Sequence, residues 1–164
     1  EEDAEAIAEL DAEKQKEADA LMKKLKPAKM AYEYGKEMAA RGLKEKNQSR
    51  AKKAFDEAGK QFEKALKKAR EVIEKEGVED VAGRWAAAEK RIMGEAVEAY
   101  INAGRVALTR SSFTEADNYA NKALNVDPTS AEAKEFKNRV ETGAVMNSDW
   151  GARGINRVAG RGPR

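Results

Sequence analysis

Apolar residues recur every three or four positions along most of this chain, the spacing that places side chains on one face of an α-helix. The clearest run lies within residues 50–76 and contains Ala51, Ala54, Phe55, Ala58, Phe62, Ala65, Leu66, Ala69, Val72 and Ile73. Alternation of apolar and polar residues, which is typical of a half-buried strand, never extends beyond a few positions. The pattern therefore predicts an all-α protein.

The residues that interrupt this spacing divide the chain into six predicted helices. Pro27 separates the first two, because proline fits the first turn of a helix better than its interior. Ser49 is predicted to cap the third helix and Gly77 to end it, and Gly143 is predicted to end the last one. The predicted ranges are 2–25, 28–46, 50–76, 79–110, 114–126 and 130–142.

The helix predicted over residues 79–110 has apolar residues on two sides. One side includes Ile92 and Tyr100, and the other includes Val97 and Ile101. A helix that is apolar on two sides packs between neighbouring helices. We therefore expect this helix at the centre of the structure. Alanine dominates the apolar residues and only 6% of the chain is aromatic, so the helices are expected to approach one another closely.

One stretch, YINAGRVALTRSSFTEADNYANKALNVDP at residues 100–128, resembles a tetratricopeptide (TPR) repeat, a 34-residue helix–turn–helix. The chain has small residues where the repeat has a leucine, a tyrosine and a second-helix aromatic, namely Ala103, Ala107 and Ala120. The matching positions are the opening aromatic residue, the glycine, two alanines and the closing proline: Tyr100, Gly104, Ala116, Ala123 and Pro128. A more degenerate copy is indicated upstream, where AYEYGKEMA at 31–39 is similar to AYINAGRVA at 99–107.

The resemblance implies antiparallel helical hairpins stacked as a short TPR-like solenoid, followed by an extended C-terminal tail. A single domain over residues 1–142 would then consist of a polar N-terminal helix, a degenerate hairpin, a TPR-like hairpin and a capping helix. The ranges of these four parts are 1–27, 28–77, 79–128 and 129–142. The tail would comprise residues 143–164.

TPR proteins present a concave surface, lined by the first helix of each hairpin, to peptides or other subunits. The resemblance therefore implies a non-catalytic protein-interaction or assembly scaffold that forms part of a homo-oligomer, a filament or a larger complex. By the same analogy, the protein-binding surface would include Tyr32, Met38, Asn102 and Arg105. Fold alone does not fix function, and the identity of the partner does not follow from these residues.

Charge is unevenly distributed along the chain, although the formal net charge is only +2. Residues 1–13 hold seven acidic side chains and no basic one, whereas residues 14–76 hold 19 lysine or arginine residues against 11 acidic ones. The helix at 50–76 therefore offers a second interpretation, in which it and the arginine-rich tail bind nucleic acid or another anionic polymer. Glutamates interleaved with its lysines favour a solvated helix instead.

The segment DWGARGINRVAGRGPR at residues 149–164 combines four glycines with four arginines. Segments of this composition are commonly disordered. The alternative is a strap that docks on a neighbouring subunit, most simply a copy of the same chain, and pairs with the acidic residues 1–13. The apolar anchors and the charged residues of such a strap would be Trp150, Arg153, Ile155, Arg157, Val158, Arg161 and Arg164.

Two absences narrow the chemistry. The chain has no histidine and no cysteine, which excludes imidazole catalysis, thiolate nucleophiles and the metal sites that those residues build. It has no glycine-rich nucleotide-binding motif and no apolar stretch of about 20 residues. We expect no enzyme activity, no cofactor and no membrane span. Because the sequence starts with glutamate, a processed and exported protein, periplasmic or extracellular, is favoured slightly over a cytoplasmic protein or a trimmed sequence.

Overall fold

The structure, a computed structural model, describes the backbone of residues 2–77 and 83–152 and the side chains of residues 4–77 and 83–144. Five α-helices account for nearly all of this part of the chain, and no strand occurs in it, which confirms the all-α prediction. The helices are α1 (Glu2–Lys44), α2 (Gln48–Glu76), α3 (Arg84–Thr109), α4 (Phe113–Val126) and α5 (Ala131–Ala152).

Helix α1 runs without a break through Pro27, so the predicted division there is wrong. Proline lacks the N–H that would bond the carbonyl four residues earlier, at Lys23. Pro27 and Lys23 are both exposed, and that carbonyl can therefore be hydrated. Ala28, directly after Pro27, and Ala31 are buried at 7% and 6% exposure. Their packing holds the helix after the proline, and the ion pair of Lys24 with Glu76 ties it to α2 before the proline.

The ends of α2 follow local capping chemistry. Asn47, and not Ser49, is the N-cap: its side chain accepts a hydrogen bond from the backbone N–H of Arg50 at 3.0 Å. Gly77 ends the helix as predicted, with a left-handed φ of 60° that glycine adopts without a steric penalty. The predicted apolar face is confirmed over most of its length: eight of its ten residues are buried, and Val72 and Ile73 at its end are half-buried.

Helix α5 continues through Gly143 to Ala152, so the predicted helix end at residue 142 is wrong, as is an extended tail from residue 143. The reason is packing at Gly143. A Cβ atom there would lie 2.9 Å from the ring of Phe113, so the missing side chain lets α5 approach the start of α4. Trp150 belongs to the last turns of α5, and the other predicted tail residues, at 153–164, lie outside the described residues.

Each helix packs against the helix that precedes it in the chain, in antiparallel orientation. In the first pair, Gly35 contacts Phe62 while Gly42, further along α1, contacts Phe55, which comes earlier in α2. The same reversal relates α2 to α3 and α4 to α5. Helix α3 contacts α2, α4 and α5. The expected central position of α3 is therefore confirmed.

A glycine facing an aromatic ring is the recurring contact between these helices. A Cβ atom on Gly59 of α2 would lie 2.6 Å from the ring of Tyr100 in α3, and one on Gly104 of α3 would lie 2.6 Å from the ring of Phe136 in α5. Such separations are shorter than any carbon–carbon contact allows. Glycine is therefore required wherever a large ring is buried between helices that otherwise meet through alanine. The core combines these few rings with fully buried alanines such as Ala96.

The first half of α1 projects beyond this packed body. Residues 4–20, which we call the N-terminal arm, are exposed throughout, including Ile7 and Leu10. The arm begins where α2 ends, because Lys24 forms an ion pair with Glu76 at 2.6 Å. At about 1.5 Å per residue it extends roughly 25 Å as a helix.

Candidate protein-binding groove

A groove with a volume of about 270 Å³ lies between α1 and α3 and above α2. Two buried rings of α2, Phe55 and Phe62, form its base. One wall comes from α1 and the other from α3. The wall residues are Lys36, Ala39, Ala40, Leu43, Glu95, Glu98, Ala99 and Asn102. We call this site the α1/α3 groove.

Helical spacing brings these residues to the groove. On α3, Glu95, Glu98 and Asn102 are spaced three and four residues apart, so they share one face of the helix. This is the polar face, which lies opposite the two apolar sides. On α1, Leu43 lies seven residues after Lys36 and so on the same face. The groove therefore combines an apolar base with polar side chains, most of them on the α3 wall.

A hydrogen bond joins the two walls at one end of the groove. The hydroxyl of Tyr32 donates to Oε1 of Glu95 at 2.8 Å, and the Tyr32 ring lies 5.7 Å from the ring of Phe62, centroid to centroid. Burial raises the pKa of Tyr32 above its ordinary value, and the bond to Glu95 raises it further. The second carboxylate oxygen of Glu95, Oε2, is buried and has no hydrogen-bond partner among the described residues.

The four residues predicted for a protein-binding surface lie along α1 and α3, but they do not form one site. Asn102 lines the groove, and Tyr32 bonds to a groove residue. Met38 is half-buried and packs on the apolar cluster around Phe62. Arg105 is exposed, donates to Asn102 at 3.1 Å and lies 3.9 Å from a carboxylate oxygen of Glu132.

Sequence reasoning placed Phe55 and Phe62 in the core but missed their role at the base of the groove. It also missed Glu95 and Glu98. The signal was present in the pattern, because α3 is apolar on two sides and these glutamates lie on its only polar face.

The basic face predicted on α2 is partly neutralised by carboxylates. Lys52 binds Glu115 at 2.6 Å and only 16% of its side chain is exposed. Lys60 binds Asp56 at 2.8 Å, and Arg70 binds Glu89 at 3.0 Å. The other basic residues of the predicted stripe are Lys53, Lys64, Lys67 and Lys68.

A second polar cluster holds α2, α3 and α4 together on the side of Tyr100. The Tyr100 hydroxyl donates to Glu63, and its ring stacks on Tyr119 with 6.4 Å between centroids. Lys122 lies 5.1 Å from the Tyr119 centroid and binds Asp56 at 3.4 Å. Each polar side chain of the cluster pairs with a neighbouring side chain, so the cluster stabilises the packing of these three helices.

This cluster predicts loss of stability in alkaline solution. Burial and then the negative charge of Asp56 raise the pKa of Tyr119 to about 12, whereas an unfolded tyrosine titrates near pH 10. Because the folded pKa is the higher one, the stabilisation is complete below about pH 10 and is lost as the pH rises towards 12. We expect the melting temperature to fall between about pH 10 and pH 12, and to fall less in Tyr119→Phe.

Tyr34→Phe is the matched control, because Tyr34 is 45% exposed. It should reproduce the wild-type dependence on pH. Equal slopes for Tyr119→Phe and wild type, measured by circular dichroism melting at each pH, would contradict the assignment.

Among the described residues, no group of three or more acidic side chains is arranged to hold a metal ion. None of the helices in the described ranges is both long enough and apolar enough to traverse a bilayer.

No family model, no curated protein and no solved structure matches the chain. The α1/α3 groove therefore has to be interpreted from its own residues.

Proposed function

We propose that this protein is a non-catalytic interaction scaffold that binds a short segment of a partner protein in the α1/α3 groove. The observation that carries the proposal is the groove itself. Two aromatic rings form its base, and two different helices supply walls that carry both apolar and polar side chains. Grooves between helices recognise partner segments through apolar anchors, while a few polar groups fix the orientation.

The size of the groove favours a protein segment over a small molecule. Sites for drug-sized ligands occupy roughly 300–1,000 Å³ and enclose most of the ligand. The α1/α3 groove, at about 270 Å³, lies just below that range and has room for a few side chains. A segment that places two or three side chains in it and continues along the surface fits this shape.

The TPR resemblance supports a binding surface on the same side of the molecule. In that family the first helices of successive hairpins line the binding surface, and α1 and α3 are the first helices of the two hairpins here. Tyr100, Ala116 and Ala123, which match the repeat, are all buried. We therefore propose a TPR-like stacking of the two hairpins, with α5 as the cap.

Binding of nucleic acid is the second candidate, and no observation favours it. The partial neutralisation of α2 by carboxylates from α2, α3 and α4 reduces the charge available for phosphates. Exposed lysines such as Lys64 and Lys67 alternate with exposed glutamates such as Glu63 and Glu71 along the same helix. A weak, salt-sensitive association is the most that this face supports.

The proposal predicts that a change at the groove wall abolishes peptide binding. Random peptides displayed on phage are selected against the full chain, and the enriched peptides are synthesised and titrated by fluorescence anisotropy. Leu43 is 74% exposed on the groove wall, so Leu43→Asp should leave the fold intact. Loss of apolar contact and a new charge should weaken binding by about tenfold or more.

Leu10→Asp is the matched control, because Leu10 is 55% exposed on the same helix but lies in the N-terminal arm. It should bind the selected peptides as the wild type does. The proposal fails if no peptide is enriched, or if Leu43→Asp and Leu10→Asp bind the enriched peptides equally well.

A further inference from the structure

The N-terminal arm is helical although every side chain described in it, over residues 4–20, is exposed. Most helical stability in proteins comes from packing an apolar face of the helix against a neighbour. Ile7 and Leu10 are large apolar side chains of the arm, and they remain 60% and 55% exposed. A partner that covers them would stabilise the arm as a helix.

A second set of apolar side chains lies on the same side of α1, where the arm joins the packed body. Ile7 and Leu25 are separated by about five helical turns and therefore share one face of the helix. Around Leu25, Leu21 is half-buried like Leu25 itself, and Met22 is 59% exposed. We call Ile7 and Leu10 the first apolar group, and Leu21, Met22 and Leu25 the second apolar group.

The charge of α1 changes sign between these two groups. Residues 3–12 hold four acidic side chains and no basic one, whereas residues 20–29 hold four lysines and no acidic side chain. One of these lysines, Lys24, binds Glu76, and the other three are exposed. A parallel pair of such helices would place like charges side by side, whereas an antiparallel pair places each acidic segment beside a basic one.

We propose that residues 3–29 of two copies pair as antiparallel helices, with the first apolar group of each packed on the second apolar group of the other. Residues 3–12 and 20–29 lie at equal distances from residue 16, which places the two-fold axis of the pair there. Two apolar contacts and two contacts between opposite charges then form together. The same surface is used by both copies, so the assembly closes as a dimer. This inference goes beyond the proposed function, because the α1 wall of the α1/α3 groove begins only at Lys36.

Lys14 lies between the two apolar groups and limits the strength of the pair. With the axis at residue 16, position 14 of one copy faces position 18 of the other, where Ala18 leaves room for the lysine stem. The ammonium group then lies within reach of Glu17 of the second copy. A lysine in the apolar seam between two helices costs stability but fixes their register. We therefore expect a reversible dimer and not a permanent one.

The arginine-rich residues 153–164 are the competing partner for the acidic segment. Ion pairs between exposed side chains contribute little to affinity and are screened by salt, so the apolar contacts decide between the two partners. Residues 20–29 combine positive charge with apolar side chains on a helix that is already formed. Pairing with that helix costs little ordering entropy, and the second copy of α1 is therefore preferred.

Sedimentation equilibrium of the full chain tests the dimer. We expect the mass to rise with concentration from 18.1 kDa towards twice that value, and to do so at higher concentrations when salt is added. Ile7→Gln and Met22→Gln each remove an apolar side chain from both copies, one from each apolar group. Each should raise the dissociation constant at least about tenfold. Both residues are exposed within one molecule, so the fold should be unchanged.

Met30→Gln is the matched control for Met22→Gln. Met30 is 61% exposed on the same helix, but it is rotated by about 140° from Leu25 and so points away from the apolar groups. It should dimerise like the wild type. A wild-type chain that stays single at every concentration overturns the proposal, as does a dimer that neither Ile7→Gln nor Met22→Gln weakens.

The competing partner is tested by replacing the four arginines of the tail in one full-length chain. The substitutions are Arg153→Gln, Arg157→Gln, Arg161→Gln and Arg164→Gln. This variant should dimerise like the wild type, because the paired residues of α1 are unchanged. Loss of the dimer would identify the tail as the partner of the acidic segment and overturn the proposal.

Introduced cysteines test the antiparallel orientation, because the chain has no cysteine of its own. Ile7→Cys mixed with Leu25→Cys should give a disulfide-linked dimer under mild oxidation. Ile7→Cys by itself should stay unlinked, because the two copies of that position would be about 27 Å apart along an antiparallel pair. A linked dimer of Ile7→Cys alone would show that the helices run parallel and would overturn the proposal.

Discussion

Gly104→Leu is expected to lower the free energy of unfolding by about 3 kcal/mol, at the upper end of the usual cost of overpacking. A Cβ atom at this position would lie 2.6 Å from two ring carbons of Phe136 and 3.3 Å from Cβ of Tyr119. Phe136 is only 4% exposed and belongs to the main core cluster, so its ring has no space to move into. Helices α4 and α5 must both shift away from α3.

The measurement is a thermal or urea melt followed by circular dichroism. For a chain of this length, about 3 kcal/mol corresponds to a fall in melting temperature of roughly 6–12 °C. Gly94→Leu is the matched control in the same helix, because nothing lies within 4 Å of a Cβ atom there. It should be neutral or stabilising by up to about 1 kcal/mol, since glycine disfavours a helix. Similar melting of the two variants would contradict the packing of α3 against α5.

Phe62→Ala is expected to have the largest effect, a loss of about 3–5 kcal/mol. The Phe62 ring is 2% exposed, contacts Gly35 of α1 and lies against Tyr32. Its removal leaves a cavity where α1, α2 and α3 meet. No ring then fills the space beside Gly35, where α1 approaches α2 closely. The melting temperature should fall by roughly 6–20 °C.

Leu43→Ala is the control for Phe62→Ala, because Leu43 lines the same groove from an exposed position. It should leave the melting temperature within about 2 °C of the wild type, as surface substitutions usually do. Equal stability of Phe62→Ala and Leu43→Ala would show that Phe62 is not part of a packed core.

The sequence predicts the position of a helix well where a single apolar face packs on the core. Eight of the ten residues in the predicted stripe of α2 are buried, and Gly77 ends the helix because few other residues tolerate its backbone conformation. The break at Pro27 was predicted from local chemistry alone. It is absent because packing on α2 holds the helix together, and the lost hydrogen bond lies on the exposed side. Tertiary contacts of this kind are not visible in a local pattern.

The helix end predicted at Gly143 was wrong for a related reason. Glycine both ends helices and permits close packing, and these two roles look identical in the sequence. Only the position of Phe113, thirty residues earlier in the chain, distinguishes them. The groove was harder still, because it depends on Tyr32 and Glu95, which are 63 residues apart. The TPR resemblance pointed to the first helices of the two hairpins, which line the groove, but not to these residues.

The glycine–ring contacts make the sequence sensitive to changes in length as well as in residue type. One residue inserted between Gly35 and Gly42 would rotate the second glycine by about 100° and move it about 1.5 Å along the helix. A side chain would then face Phe55 in its place. The same insertion among residues 4–20 would disturb no buried contact, because every side chain described in that part of α1 is exposed. Within one molecule, a single helix is therefore divided into a half whose register is fixed and a half whose length is free to vary.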